Sequence, residues 1–325
     1  MTALLEFKQR VKYFFGEAEA YIMPLIKFAT AFLLFRWLNI NMGYMPQLGS
    51  TQLIAVLSVI CAILPAHFTA FIGCIMIIMH GYALGIEVAG FLAVVMLLMV
   101  IFFLRYSSGT GIVLLLTPLS LSFGFPVMLP IGAGLLTNAT AAIPAGCGVV
   151  LYYLIRYISA QASALSNPDI EMVEKLKMMS DGIIVNWGMW ITVIAFVLVI
   201  LLVNLIRTRS FDYSWRVAIF VGGLAYVLVM MTGSFYLSAT VDVSYLIVST
   251  VIAVIVGLVI DFFVFGGDYS RTERLQYEDD EYYYYVKAVP KASVSTSVRK
   301  VKRINKDPDE EIDLSEKLVE SLQDL

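Results

Sequence analysis

The chain has 325 residues, of which 60% are hydrophobic and 14% charged, and its net charge is −3. Soluble domains usually carry about 25% charged residues, and the mean hydropathy of +0.83 is high. This composition excludes a soluble enzyme with one amphipathic core, a disordered chain and a disulfide-stapled secreted module, and the acidic balance argues against nucleic acid as a partner. The sequence therefore predicts an all-α, polytopic membrane protein whose surroundings are the lipid bilayer.

Charge divides the chain into three parts. Residues 266–325 hold 10 basic and 14 acidic residues, slightly more charges than all of 1–265. In residues 1–20, basic side chains alternate with apolar ones, which predicts an amphipathic helix on the cytoplasmic membrane surface. We therefore expect a surface segment (1–20), a transmembrane helical domain (21–265) and a cytoplasmic charged tail (266–325).

Apolar stretches predict eight full spans. They are 21–38, 51–66, 68–86, 87–104, 139–158, 183–204, 216–236 and 243–265. Short cytoplasmic loops are enriched in Lys and Arg. The arginines of loop 205–216, the arginines after the last span and the basic residues near the amino terminus then agree on one orientation. Both termini are expected in the cytoplasm.

The stretch 109–137 connects two of these spans and is rich in Gly and Pro. It is too short for two full spans of ~20 residues each, and a single span would place the basic loops on opposite sides. We expect two short helices that break near Gly124–Pro126 and form a re-entrant pair inside the bundle, because irregular backbone at membrane depth must be shielded or face water. If the stretch crosses twice instead, the chain has ten spans.

Residues 109–148 are also the candidate translocation or ligand region, because they hold four of the ten prolines and seven glycines. Broken helices expose backbone carbonyls and helix ends that transporters use to bind ions and substrates. The candidate residues are Pro118, Pro130, Asn138 and Pro144. The alternative is tight packing, in which Gly132, Gly134 and Gly146 lie at close helix contacts.

Four ionisable residues fall in or beside the apolar segments, where such groups are functional candidates. They are Lys27, His80, Glu87 and Asp261. His80 and Glu87 are two helical turns apart and could share a face. The alternative places all four at the membrane interfaces, with Lys27 snorkelling towards the cytoplasmic side.

The sequence contains no phosphate-binding P-loop, nucleophile elbow, zinc motif or EF-hand loop. Cys61, Cys74 and Cys147 lie in apolar stretches and predict buried, inert thiols. We therefore expect no enzymatic activity, no cofactor and no metal site.

The tail contains the acidic run Glu278–Glu281 followed by four tyrosines and Val286. Tyr and Val favour strands, so we expect a strand-rich unit over 277–304 that could pair as a hairpin, and an amphipathic terminal helix over 308–323. The candidate partner-docking residues are Tyr282, Tyr283, Tyr284, Tyr285, Leu314 and Leu318. The tail is either a docking arm for a cytoplasmic or envelope protein, or it packs on its own body with the acidic run facing the basic loop 205–216.

The segment QYEDDEYYYYVKAVPK, which follows a last span ending in DFFVF, resembles a group of multi-spanning membrane proteins from Gram-positive anaerobic bacteria. The resemblance is specific over this segment, and the layout of spans supports it over most of the chain. It implies a bacterial plasma (inner) membrane location and carries over no catalytic residues.

Two functions fit these patterns best, ahead of a third possibility, a membrane enzyme. The first is a permease-like protein that moves or binds a small solute through the broken 109–148 region without its own ATPase. The second is a non-transporting membrane scaffold whose tail recruits a partner. Water-accessible polar residues along 109–148 would favour the permease, and a packed core with a structured tail would favour the scaffold.

Overall fold

A computed structural model describes residues 2–106, 110–237, 242–265, 273–279 and 281–289. This part of the chain is 82% helical, with 12 α-helices and a small antiparallel β-hairpin near the carboxyl terminus. The helices are α1 (Thr2–Asn41), α2 (Thr51–Ile63), α3 (Ala66–Leu84), α4 (Ile86–Tyr106), α5 (Gly111–Ser122), α6 (Met128–Leu136), α7 (Ala142–Ala160), α8 (Ala162–Leu165), α9 (Met172–Ile184), α10 (Trp187–Arg207), α11 (Ser214–Leu237) and α12 (Val243–Ile260). A π-helical turn, Asp261–Phe265, extends α12, and the hairpin pairs β1 (Glu273–Glu278) with β2 (Tyr283–Ala288).

Six helices in the described residues are long and apolar enough to cross a membrane. They are α1, α3, α7 with its preceding turn, α10, α11 and α12 with its π-helical extension. The shorter apolar helices in the described residues are α2, α4 over Ile86–Phe102, and α5. The chain is therefore a helical protein of multi-pass membrane type, as the composition predicts.

Contacts at the helix ends show how α1 is oriented relative to α3 and to the end of α12. The backbone N–H of Met45, just after α1, donates to Nδ1 of His80 near the end of α3, so α1 and α3 run parallel. At the other end of the bundle, Lys8 of α1 lies over the ring of Phe262 after α12. The amino-terminal helix and the end of the last span therefore lie together, and we call this end of the bundle the basic end.

The prediction for 109–137 is confirmed in its main feature, two short helices with a break between them. α5 has 12 residues and α6 has nine, or ~18 and ~14 Å at 1.5 Å per residue. Gly124 lies in the break with a φ of +83°, a left-handed conformation that glycine adopts without a steric cost. The Gly-Pro signal therefore marked a real interruption of the helix.

Two hydrophobic cores share this broken pair. The first is built mainly from α1 to α5 with α7 and α9, and the second mainly from α6, α7, α10, α11 and α12. α5 packs against α7, α1 and α3, whereas α6 packs against α10, α12 and α11. The pair thus lies inside the bundle, as expected, and its two helices belong to different halves of the protein.

Two details differ from the sequence-based expectations, and the connection between two of the predicted spans is itself helical. α1 continues without a break from Thr2 to Asn41, so no helix end separates residues 1–20 from the first span. His80 and Glu87 do not share a face, because Gly85 ends α3 and Glu87 lies in the first turn of α4. The connection 159–181 contains α8 and most of α9, which packs against α4 and α7.

Candidate functional site

Pro118 lies in the interior of α5 and is buried. Its missing N–H leaves the carbonyl of Leu114 without the usual helical donor. This carbonyl faces Gly148 of α7, where an added Cβ would lie 3.0 Å from the Leu114 oxygen and 2.5 Å from Cβ of Thr117. Pro118 therefore lies at a tight contact between α5 and α7.

The carboxyl end of α6 is capped by two side chains from α10. The carbonyl of Thr137 accepts from Nδ2 of Asn204 at 2.9 Å and from Nη2 of Arg207 at 2.5 Å. The negative end of the α6 helix dipole also stabilises a cation at this position. The guanidinium of Arg207 lies 5.7 Å from the ring centroid of Trp215, which fixes the side chain at the basic end.

The four predicted ligand residues do not converge on one site. Pro130 and Pro144 are each the third residue of a helix, where a proline is tolerated, and both are buried. Asn138 is exposed at the turn before α7. The hydroxyls of Thr117 and Ser120 bond to carbonyls of their own helix. In the described residues this region is packed, and its buried hydroxyls bond to protein carbonyls.

The predicted glycine contacts hold in part. An added Cβ at Gly134 would lie 2.8 Å from Val203, so this is a close helix contact as predicted. The nearest atoms would lie at 3.6 Å for Gly146 and 3.9 Å for Gly132, which are ordinary packing distances. Sequence reasoning passed over Gly148, whose added Cβ would clash more severely than at any of the three.

The intramembrane polar candidates have separate structural roles. Nζ of Lys27 donates to the carbonyl of Leu64 at 3.4 Å and so caps the carboxyl end of α2. Nδ1 of His80 accepts from Met45 at 3.3 Å, and its Nε2 is buried with no partner among the described residues. Glu87 is half-buried at the start of α4.

Asp261 belongs to a charged cluster at the basic end. Its Oδ2 accepts from Nε of Arg216 at 3.4 Å, and it interacts electrostatically with Lys8. Lys8 is 4% exposed and Asp261 7% exposed. The opposite charges partly compensate one another, and the contact of Lys8 with the ring of Phe262 ties α1 to the π-helical turn after α12.

The hairpin is anchored on the loop between α10 and α11. Nζ of Lys287 forms an ion pair with Asp212 and donates to the carbonyl of Ser210 at 2.8 Å. The prediction that the tail docks on loop 205–216 is thus confirmed for the described hairpin, but the predicted distribution of charges between tail and loop is wrong. The tail supplies the cation here and the loop supplies the carboxylate.

The acidic run forms the hairpin turn instead of facing the basic loop. The carboxylate of Asp279 accepts from the backbone N–H groups of Glu281 and Tyr282 and from the hydroxyl of Tyr284. These bonds hold the pKa of the Asp279 carboxyl below its usual value. The bond to Asp279 raises the pKa of the Tyr284 hydroxyl. The charged carboxylate therefore organises the turn.

This turn should loosen in acid. The pKa of Asp279 is lower in the folded hairpin than in an unfolded chain. The ionised carboxylate therefore stabilises the turn fully above the ordinary Asp pKa of ~3.9, and this stabilisation is lost as pH falls through the lower pKa of the folded state. NMR shifts of the Glu281 and Tyr282 amide protons should move in that range. In Asp279→Asn, which keeps an acceptor oxygen but cannot titrate, they should stay nearly constant. Equal movement in both chains would mean that neighbouring carboxylates cause the change.

The tyrosines are distributed over both faces of the hairpin. Tyr284 pairs with Tyr277 on one face, whereas Tyr283 and Tyr285 point to the other face with Lys287. All are exposed, from 46% for Tyr284 to 78% for Tyr285. The hairpin is therefore held to the body through Lys287 while its aromatic side chains remain accessible. Leu314 and Leu318 lie outside the described residues.

No protein-family model, curated protein or solved structure matches the chain. The fold and these contacts define the class as a multi-pass helical protein with a hairpin fixed at its basic end.

The sequence did not indicate the roles of Asn204, Lys287 and Asp212. Only Asn204 had a recognisable signal: it is a polar amide inside an apolar span, and such residues commonly form hydrogen bonds with a neighbouring helix.

Proposed function

We propose that this chain is a membrane scaffold of the bacterial plasma membrane, in which the spans anchor a cytoplasmic hairpin that recruits a protein partner. The observation that carries the proposal is the combination of an anchored hairpin and exposed tyrosines. Lys287 attaches the hairpin to the α10–α11 loop, and Tyr285 is 78% exposed. Tyrosine is enriched at protein interfaces because it buries a large, rigid surface.

The chemistry of the hairpin favours a basic, extended partner segment. Glu278, Asp279 and Glu281 surround the turn, and complementary charge steers association. A two-stranded sheet is marginally stable alone and offers unpaired strand edges. An extended segment that adds to an edge gains backbone hydrogen bonds, and lysines or arginines in that segment would meet the acidic turn.

The topology that fits this role has eight crossings and a re-entrant pair. The apolar part of α4, Ile86–Phe102, is at the lower limit of ~17 residues for a crossing. α2, with 13 residues, serves as a short crossing capped by Lys27. The basic end faces the cytoplasm by the distribution of Lys and Arg. The amino-terminal part of α1 then lies at the cytoplasmic end of the bundle, where Lys8 contacts Phe262 and exposed Tyr13 and Phe14 suit the headgroup region.

The second candidate is the permease-like function. It is favoured by the backbone break at Gly124, which lies between two buried half-helices, because discontinuous helices often line transport sites. The packing around Thr117 and Gly148 weighs against it. Aqueous labelling of a cysteine at position 117 would favour the permease over the scaffold.

Photo-crosslinking in intact cells tests the scaffold function. A photoreactive phenylalanine analogue replaces Tyr285, and the matched control replaces Tyr236, which is 80% exposed near the end of α11 away from the basic end. We expect a discrete protein adduct from position 285 and none of that size from position 236. Peptide mapping should place the adduct in a segment rich in Lys or Arg. Adducts to lipid alone, or the same adducts from both positions, would contradict the proposal.

A further inference from the structure

A crevice with a volume of about 240 Å³ lies between α3, α4, α5 and α7. Nine of its ten lining side chains are apolar, and the tenth is His67. The crevice is separate from the hairpin and from the charged cluster, so neither accounts for it.

The exposed fractions of the lining side chains show where this crevice opens and where it ends. At its mouth, Phe68 and Phe71 of α3 are 45% and 53% exposed. At its floor, Met96, Leu114 and Leu151 are 1%, 8% and 9% exposed. α3 is one of the six helices fit to cross a membrane. The crevice therefore leads from the bilayer-facing surface of α3 inwards to α5 and α7.

We propose that this crevice is a binding site for one acyl chain of a membrane phospholipid. An apolar cavity of roughly 150 Å³ or more stays dry and accepts hydrocarbon, because a water molecule needs two to four polar partners. The neighbours of an exposed apolar face on a membrane span are acyl chains. An inserted chain would contact the floor, and the void would otherwise leave those side chains without packing partners.

The position of His67 agrees with a phospholipid as the occupant. His67 is exposed in the first turn of α3, at the end of the span where lipid headgroups lie. The chain would extend from this end of α3 along the crevice towards Leu114 and Leu151.

The test uses a phosphatidylglycerol that carries a diazirine near the end of one acyl chain. The full-length protein is reconstituted in vesicles containing this lipid, irradiated and mapped by mass spectrometry. We expect adducts on the floor peptides that contain Leu114 and Leu151, in addition to adducts on exposed faces. Adducts confined to exposed faces of the spans would overturn the proposal.

A substitution that fills the crevice supplies the second arm. Ala70→Phe places a ring in the crevice, and Ala83→Phe places one on the exposed surface of the same helix. We expect a severalfold loss of floor adducts in Ala70→Phe and no loss in Ala83→Phe. Unchanged floor adducts in a folded Ala70→Phe protein would also overturn the proposal. If that variant does not fold, the adduct map of the parent decides alone.

Discussion

Replacing Asp261 with alanine is expected to lower the free energy of unfolding by about 1–3 kcal/mol, because it removes the ion pair with Arg216 and leaves the buried Lys8 without a nearby negative charge. Breaking a fully buried ion pair typically costs ~3–5 kcal/mol. The expected loss is smaller here because the side chain of Arg216 is 54% exposed and can turn to water. Unfolding in mixed micelles with increasing denaturing detergent measures the change.

The matched control removes both buried charges. In the double variant Lys8→Met/Asp261→Leu, apolar side chains replace both charges, and such an exchange of buried charges is often neutral or stabilising. We expect this double variant to unfold close to the parent. If it were as unstable as Asp261→Ala, the loss would come from the shape of the site instead of the unpaired charge.

Gly148→Ala is expected to destabilise the protein by about 1–3 kcal/mol, because it overpacks the contact between α5 and α7. The new Cβ would lie 2.5 Å from Cβ of Thr117, an atom that cannot move without its backbone. Separating the helices would also expose the carbonyl of Leu114, which Pro118 has already deprived of its donor. Thermal unfolding in detergent measures the effect.

Gly132→Ala is the matched control, since its Cβ would meet only Ile260 at 3.9 Å. Alanine is the better helix former, so this variant should be as stable as the parent or slightly more stable. Equal losses at the two positions would mean that both glycines are needed for a reason other than the distance between helices.

The sequence alone predicts the two short helices α5 and α6 and the break between them, but not the side chains that cap α6. Gly124 and Pro126 interrupt a helix through their local backbone preferences, and these preferences can be recognised from the sequence alone. Asn204 lies 67 residues from the Thr137 carbonyl that it caps. Such a contact depends on how α6 and α10 pack, and no local pattern encodes it.

The glycines show the same limit within one segment. Gly132 and Gly134 are equally small and two residues apart, yet only Gly134 meets its neighbour closely. Positions two apart lie on different faces of a helix, and the composition does not say which face meets α10. Small residues therefore predict that close packing occurs, while the structure decides where.

In the tail, strand propensity predicted the type of structure but not its register. Tyr and Val favour strands, and β2 contains three of the tyrosines with Val286. The first strand, however, lies at Glu273–Glu278, before the tyrosines, because Asp279 caps a tight turn with its own carboxylate. This turn also removes the acidic run from the basic loop, so docking relies on Lys287 and Asp212.

The most direct measurement of the central claim is crosslinking from position 285 in three chains. They are the parent, Asp212→Lys, and the charge-swapped Asp212→Lys/Lys287→Asp. The scaffold account predicts a protein adduct in the parent, a strong reduction in the single variant because two lysines repel and release the hairpin, and recovery in the swapped pair. Equal adduct yields in all three chains, or no protein adduct in the parent, would contradict the account.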